Sequence, residues 1–87
     1  MMRASLVTVT VPTAGAEAEM WFPVDMKVGD AAVKAAEYFE AITDGRVAVK
    51  GDVLLVRYDD GTALYPELKV GEVPIVSGER LWLAFSG

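Results

Sequence analysis

The chain has 87 residues, 53% of them hydrophobic, and carries 13 acidic against 8 basic side chains, which gives a net charge of −5. This length and apolar content favour one folded domain, which we place at residues 1–87, and the acidic balance argues against nucleic-acid binding, which needs clustered Lys and Arg. The lack of Cys and His excludes disulfides and thiolate chemistry and removes the commonest general base, and no apolar run approaches the roughly 20 residues of a membrane helix.

Two strand patterns occupy the first part of the chain. Leu6–Val11 alternates apolar residues with Thr, which predicts a strand. Gly15 is the expected turn residue, and Glu17–Val24 predicts a second strand with Trp21 facing outward. Pro23 has no N–H to donate to a ladder, so this strand should lie at an edge or end there. The predicted inward side chains of this hairpin are Val7, Val9, Val11, Met20, Phe22 and Val24.

A helix pattern follows the hairpin. Asp30 is a suitable N-cap because its carboxylate can accept from the open N–H groups of the first turn, and Ala31–Ile42 is rich in helix formers. Gly45 is a candidate for the left-handed residue that ends the helix. Small side chains on one face would let the helix lie close to a sheet. The predicted inner stripe is Ala32, Ala35, Ala36, Phe39 and Ile42.

The next segment predicts a second hairpin. Val47–Val49 is a possible short extended piece, and Val53–Tyr58 predicts a strand. Asp59-Asp60-Gly61 is a strong turn signal, and Thr62–Tyr65 predicts a short return strand that stops at Pro66. We assign Leu54, Val56 and Tyr58 to one face of the strand, which places Leu55 and Arg57 on the outer face.

The last segment predicts an irregular connection and an apolar final strand. Val70 and Ile75 should reach the core from the connection, and Gly78 should turn the chain. Leu81, Leu83 and Phe85 then follow at period two and should line the inner face of the strand. One helix cannot cover two sheets, so we expect an α+β domain with one mixed sheet in which the first and last strands are parallel neighbours.

This order resembles the ubiquitin-like β-grasp superfamily over nearly the whole chain. Val56-Arg57-Tyr58, the Asp-Asp-Gly turn and a short strand are similar to the third and fourth strands of ubiquitin. The spacing of Val70, Ile75 and Leu81 is similar to its buried Leu, Ile and Leu. The resemblance implies a mixed four- to five-stranded sheet with one helix across one face.

Three ubiquitin-like subgroups compete. The ending KVGEVPIVSGERLWL most resembles the YukD/EsaB-like proteins, small cytosolic proteins associated with type VII secretion in bacteria. RVAVKGDVLLVRYDDGTALYP resembles the small ubiquitin-like subunit of toluene and alkene monooxygenase hydroxylases. Conjugated modifiers and sulfur carriers act through a C-terminal Gly-Gly, whereas this chain ends Ser86-Gly87. The respective partners would be a secretion-machine component, a hydroxylase subunit or an E1-like activating enzyme.

The outer sheet face carries the predicted partner-binding residues Trp82, Arg57, Trp21, Ala84 and Leu55. We expect Arg57 beside Trp82 to form a cation–π pair, a composition typical of binding hot spots. The alternative is that a small domain exposes some apolar area without function. Gly87 is the only candidate for reactive chemistry, as a conjugation terminus. We expect no catalytic residue and no cofactor. We also expect no metal site, because Asp residues beside Gly are typical of turns.

Overall fold

The computed structural model describes residues 3–46, 52–73, 75 and 78–86, which form four strands and one long helix. Short 3-10 turns at Pro12–Ala14 and Val70–Glu72 lie in the connections. The predicted extended piece at 47–49 lies outside the described residues. The elements are β1 (Ala4–Val11), β2 (Ala16–Pro23), α1 (Val28–Ile42), β3 (Asp52–Arg57) and β4 (Glu79–Ser86).

The four strands form one mixed sheet in the order β2-β1-β4-β3. β1 pairs antiparallel with β2 and parallel with β4, and β4 pairs antiparallel with β3. This confirms the predicted α+β class, the β1–β2 hairpin and the parallel contact between first and last strands. The predicted return strand at Thr62–Tyr65 is reduced to a single antiparallel bridge between Ala63 and Val56.

One hydrophobic core lies between the inner face of the sheet and α1. The alanines of α1 allow the helix to approach the sheet closely, as predicted. In α1 and β4, two predicted core residues are exposed instead: Ile42 is 53% exposed and Phe85 is 38% exposed. Both lie at the ends of their elements, where the overlap of helix and sheet stops. The fully buried side chains include Val7, Val9, Val28, Ala31, Ala32, Ala35, Ala36, Phe39 and Leu81.

The helix begins at Val28, two residues before the predicted N-cap Asp30, which lies in the first turn. The reason is a short ladder between the start of α1 and the connection before β4. The N–H of Val28 donates to the Leu68 carbonyl at 2.8 Å, and that of Gly29 donates to the Pro66 carbonyl at 3.0 Å. These carbonyls satisfy N–H groups that a helix leaves open at its start, so no side-chain cap is required.

The same ladder continues toward the end of β2. The N–H of Val70 donates to the Met26 carbonyl at 2.8 Å, and the N–H of Gly71 donates to the Val24 carbonyl at 2.9 Å. The ladder positions Val70, which is buried as predicted, and Val73, a core residue that the sequence analysis missed. Ile75 packs against the core as a partly buried side chain.

The Asp-Asp-Gly turn after β3 is confirmed. The backbone N–H of Thr62 donates to Asp60 Oδ1 at 2.9 Å, and Gly61 adopts a φ of +73° that favours glycine. The hydrogen bonds from Thr62 hold the pKa of the Asp60 carboxyl below its ordinary value of 3.8. The ionised carboxylate therefore stabilises the turn.

We expect the Asp60 carboxyl to titrate at lower pH in the folded protein than in the urea-unfolded chain, as followed by ¹³C NMR. Because the folded pKa is lowered, the stabilising contribution of Asp60 is complete above its unfolded pKa and is lost as pH falls through the folded pKa. Asp60→Asn should remove this acid-dependent contribution. Equal titration midpoints of Asp60 in the folded and unfolded chains would contradict the assignment.

We expect Gly71→Ala to destabilise the domain by about 1–3 kcal/mol in urea unfolding followed by circular dichroism, because of overpacking. A Cβ at Gly71 would lie 2.9 Å from the Cβ of Val24, closer than real Cβ atoms approach. Val24→Gly removes that atom, so the double variant should lose less stability than the sum of the single variants. Strict additivity would show that the contact does not exist.

Candidate functional site

The pleat and the strand register decide which side chains lie on the outer face, the side of the sheet away from α1. Leu81 and Leu83 of β4 are buried in the core, so Trp82 and Ala84 between them point outward. The register then extends this assignment to the other strands. The outer face consists of Leu6, Thr8, Thr10, Glu17, Glu19, Trp21, Leu54, Val56, Tyr58, Arg80, Trp82 and Ala84.

Three of the five predicted partner-binding residues, Trp82, Trp21 and Ala84, lie on the outer face as expected. The placement of the other two, Leu55 and Arg57, is wrong. Leu55 is directly opposite Leu83 and is only 2% exposed, so it belongs to the core. Arg57 is opposite Leu81 and therefore points to the inner face as well.

Arg57 has a structural partner at the end of the inner face. Its Nη1 lies 2.9 Å from Oε2 of Glu79, and the two side chains are 22% and 10% exposed. A charge pair with this little exposure is costly to break from one side, because the remaining charge stays partly desolvated. Arg57 therefore stabilises the junction of β3 and β4 and does not form the expected pair with Trp82.

A continuous surface runs along the two-stranded ribbon of β3 and β4. We call it the outer ribbon and define it as Leu54, Val56, Tyr58, Arg80, Trp82 and Ala84. In register, Tyr58 lies opposite Arg80, Val56 opposite Trp82 and Leu54 opposite Ala84. Val56 is buried without belonging to the core cluster, and Trp82 beside it is half-buried. Apolar side chains thus cover part of the sheet on the face that lacks a helix.

Arg80 is the cation of the outer ribbon. Its Cζ lies 5.4 Å from the centroid of the Tyr58 ring, which is cation–π geometry, and its Nη2 lies 3.7 Å from Oε2 of Glu17 on β2. Together with Thr10 these side chains line a shallow depression of about 230 Å³. Arg80 and Tyr58 were not among the predicted site residues, although the alternation of Leu81 and Leu83 places Arg80 on the same face as Trp82.

Trp21 lies apart from the outer ribbon. It is 65% exposed on β2 and opposite Leu6 of β1, whereas Trp82 is in register with Thr10 of β1. Four residues along a strand and two strand spacings separate the two side chains by roughly 16 Å. Trp21 and Trp82 therefore belong to one face but not to one contact cluster.

The part of the chain that the structure describes has neither a cluster of metal ligands nor a membrane-spanning helix. Those residues contain no group of three or more acidic side chains that could hold a metal ion. None of the described helices is long and apolar enough to cross a membrane. The predicted conjugation terminus Gly87 lies outside the described residues.

The sheet order, the single helix across one face and the central parallel pair β1–β4 agree with solved structures of ubiquitin-like domains. The fold is the ubiquitin-like β-grasp. The ubiquitin-like domain of EccD5 from Mycobacterium xenopi has a TM-score of 0.78 and 20% identity, over 97% of this chain and 96% of that one. The ubiquitin-like domain of the type VII secretion system protein ECCD1 from Mycobacterium tuberculosis has a TM-score of 0.75 and 14% identity, over 98% of this chain and 100% of that one.

A third β-grasp neighbour comes from a different kind of assembly. A chain of the toluene 4-monooxygenase HD complex with the inhibitor 4-bromobenzoate has a TM-score of 0.80 and 14% identity, over 97% of this chain and 100% of that one. No protein-family model and no curated protein sequence matches the chain. These structural neighbours therefore establish the ubiquitin-like fold of the chain.

We expect Leu55→Ala to destabilise the domain by about 2–5 kcal/mol, because it opens a cavity in the core. The matched variant Leu54→Ala removes the same atoms from the outer face and should cost about 1 kcal/mol, because less apolar area leaves water there. Urea unfolding of both variants measures the difference. A larger loss for Leu54→Ala would reverse the assignment of the two faces.

Proposed function

We propose that this β-grasp domain is a non-enzymatic binding module that docks onto a protein partner through the outer ribbon. The observation that carries the proposal is the joint exposure of an aromatic ring and an arginine, Tyr58 and Arg80, beside the half-buried Trp82. Trp, Tyr and Arg are the residues that dominate binding energy at protein interfaces. The apolar side chains around them supply the water-excluding surroundings that such residues need.

The partner that we propose first is a component of a type VII secretion machine, with the protein acting in the cytoplasm as a YukD/EsaB-like accessory. Support comes from the ending KVGEVPIVSGERLWL and from the similarity to ubiquitin-like domains of EccD proteins. The same docking surface would serve in a small subunit of a monooxygenase hydroxylase. The toluene 4-monooxygenase neighbour, matched over its whole length, favours that second candidate.

The test is capture of partners from native cells by the N-terminally tagged protein, under native and under denaturing washes. The outer-ribbon variant Trp82→Ala with Arg80→Ala should retain about tenfold less partner than the wild type. Tyr38→Ala is the matched control, since Tyr38 is an exposed aromatic residue on α1, on the opposite side of the sheet. Thermal unfolding of all variants confirms that the fold persists.

Each outcome of this capture has a distinct meaning. A secretion component or a hydroxylase subunit in the native eluate identifies the assembly. A covalent adduct that survives denaturant and disappears when Gly87 is deleted would instead establish a modifier or sulfur carrier. Equal capture by the wild type and the outer-ribbon variant would refute the docking surface.

A further inference from the structure

A second concave surface lies where the end of β2 and the β2–α1 connection meet the first turns of α1. We call it the helix groove and define it by its lining residues. It has a volume of about 620 Å³, within the range of sites that hold a ligand or an inserted side chain. The lining residues are Pro23, Asp25, Met26, Asp30, Val33 and Lys34.

The floor of the helix groove is apolar and its rim is acidic. Pro23, Met26 and Val33 supply the apolar surface, and Val33, in the second turn of α1, is 42% exposed. The carboxylates of Asp25 and Asp30 are exposed at the rim, and within the described part of the chain neither forms a salt bridge. Lys34 is the single basic residue of the lining.

The charge of the rim selects among occupants. An anionic membrane surface is repelled by Asp25 and Asp30, and a second copy of this chain is disfavoured because it also carries a net charge of −5. An apolar side chain followed by Lys or Arg matches both the floor and the rim. We propose that the helix groove binds a short segment of a partner protein in which an apolar residue is flanked by basic residues.

The helix groove and the outer ribbon have no lining residue in common. A module with both surfaces can hold two protein segments at once. This inference does not rest on the outer ribbon, since its residues are separate and the two surfaces can be disabled independently.

The probe is a fluorescein-labelled synthetic peptide of sequence Lys-Val-Lys-Leu-Lys-Val-Lys, titrated with the full chain and followed by fluorescence anisotropy. The comparison peptide carries Glu in place of every Lys. We expect saturable binding of the basic peptide only, weakened about fivefold or more by Asp25→Asn with Asp30→Asn. Val33→Ser should also weaken it, because the apolar floor is lost.

A control variant distinguishes binding in the helix groove from general attraction of the basic peptide to the acidic protein. Asp44→Asn with Asp59→Asn changes the net charge equally but at exposed turns away from the helix groove, and Asn tolerates the positive φ of residue 44. This control and the outer-ribbon variant Trp82→Ala with Arg80→Ala should leave the affinity within about twofold of wild type. Equal weakening by both Asp pairs, no binding, or binding of both peptides would overturn the proposal.

Discussion

The pairing of β4 at the centre of the sheet is the interaction on which the rest of the structure depends. β4 is the last strand, yet it joins β1 on one side and β3 on the other, so it closes a loop of almost the whole chain with β1 and a shorter one with β3. Leu81 and Leu83 bury its inner face against α1, and this core burial offsets the entropy of those closures. The same strand presents Arg80 and Trp82 on its outer face, so one element couples stability to the candidate surface.

Sequence periodicity predicted the helix and the four main strands, and it gave the correct faces in β1 and β4, where Val or Leu recurs at every second position. The parallel contact followed instead from the element order, in which one helix connects the two hairpins. In β3 the predicted inner and outer faces were exchanged. Residues 53–56 are all apolar, so the sequence pattern does not show which alternate side chains point to the core. The register of Leu55 with Leu83 makes that choice, and a shift of one residue exchanges every side chain between faces. The N-cap was wrongly assigned to Asp30 for a similar reason, since the carbonyls that cap α1 belong to a connection distant in sequence.

These corrections change the chemistry of the candidate surface. The expected Arg57–Trp82 pair is replaced by Arg80 over the Tyr58 ring, while Arg57 forms an inner-face pair with Glu79. The outer ribbon retains the aromatic and cationic composition that motivated the original prediction, but its residues come from a single pair of strands. The helix groove combines apolar side chains with the carboxylates of Asp25 and Asp30, so the two surfaces suit different partner segments.

The central claim is that partners dock on the outer ribbon, and site-specific photocrosslinking in native cells tests it most directly. A benzophenone amino acid replaces Ala84 in the outer ribbon or, as a matched position, the exposed Ala41 of α1. The account predicts that irradiation links the Ala84 variant to one main partner, identified by mass spectrometry, and that the Ala41 variant gives no such product. Crosslinks from Ala41 alone, or equally from both positions, would contradict it.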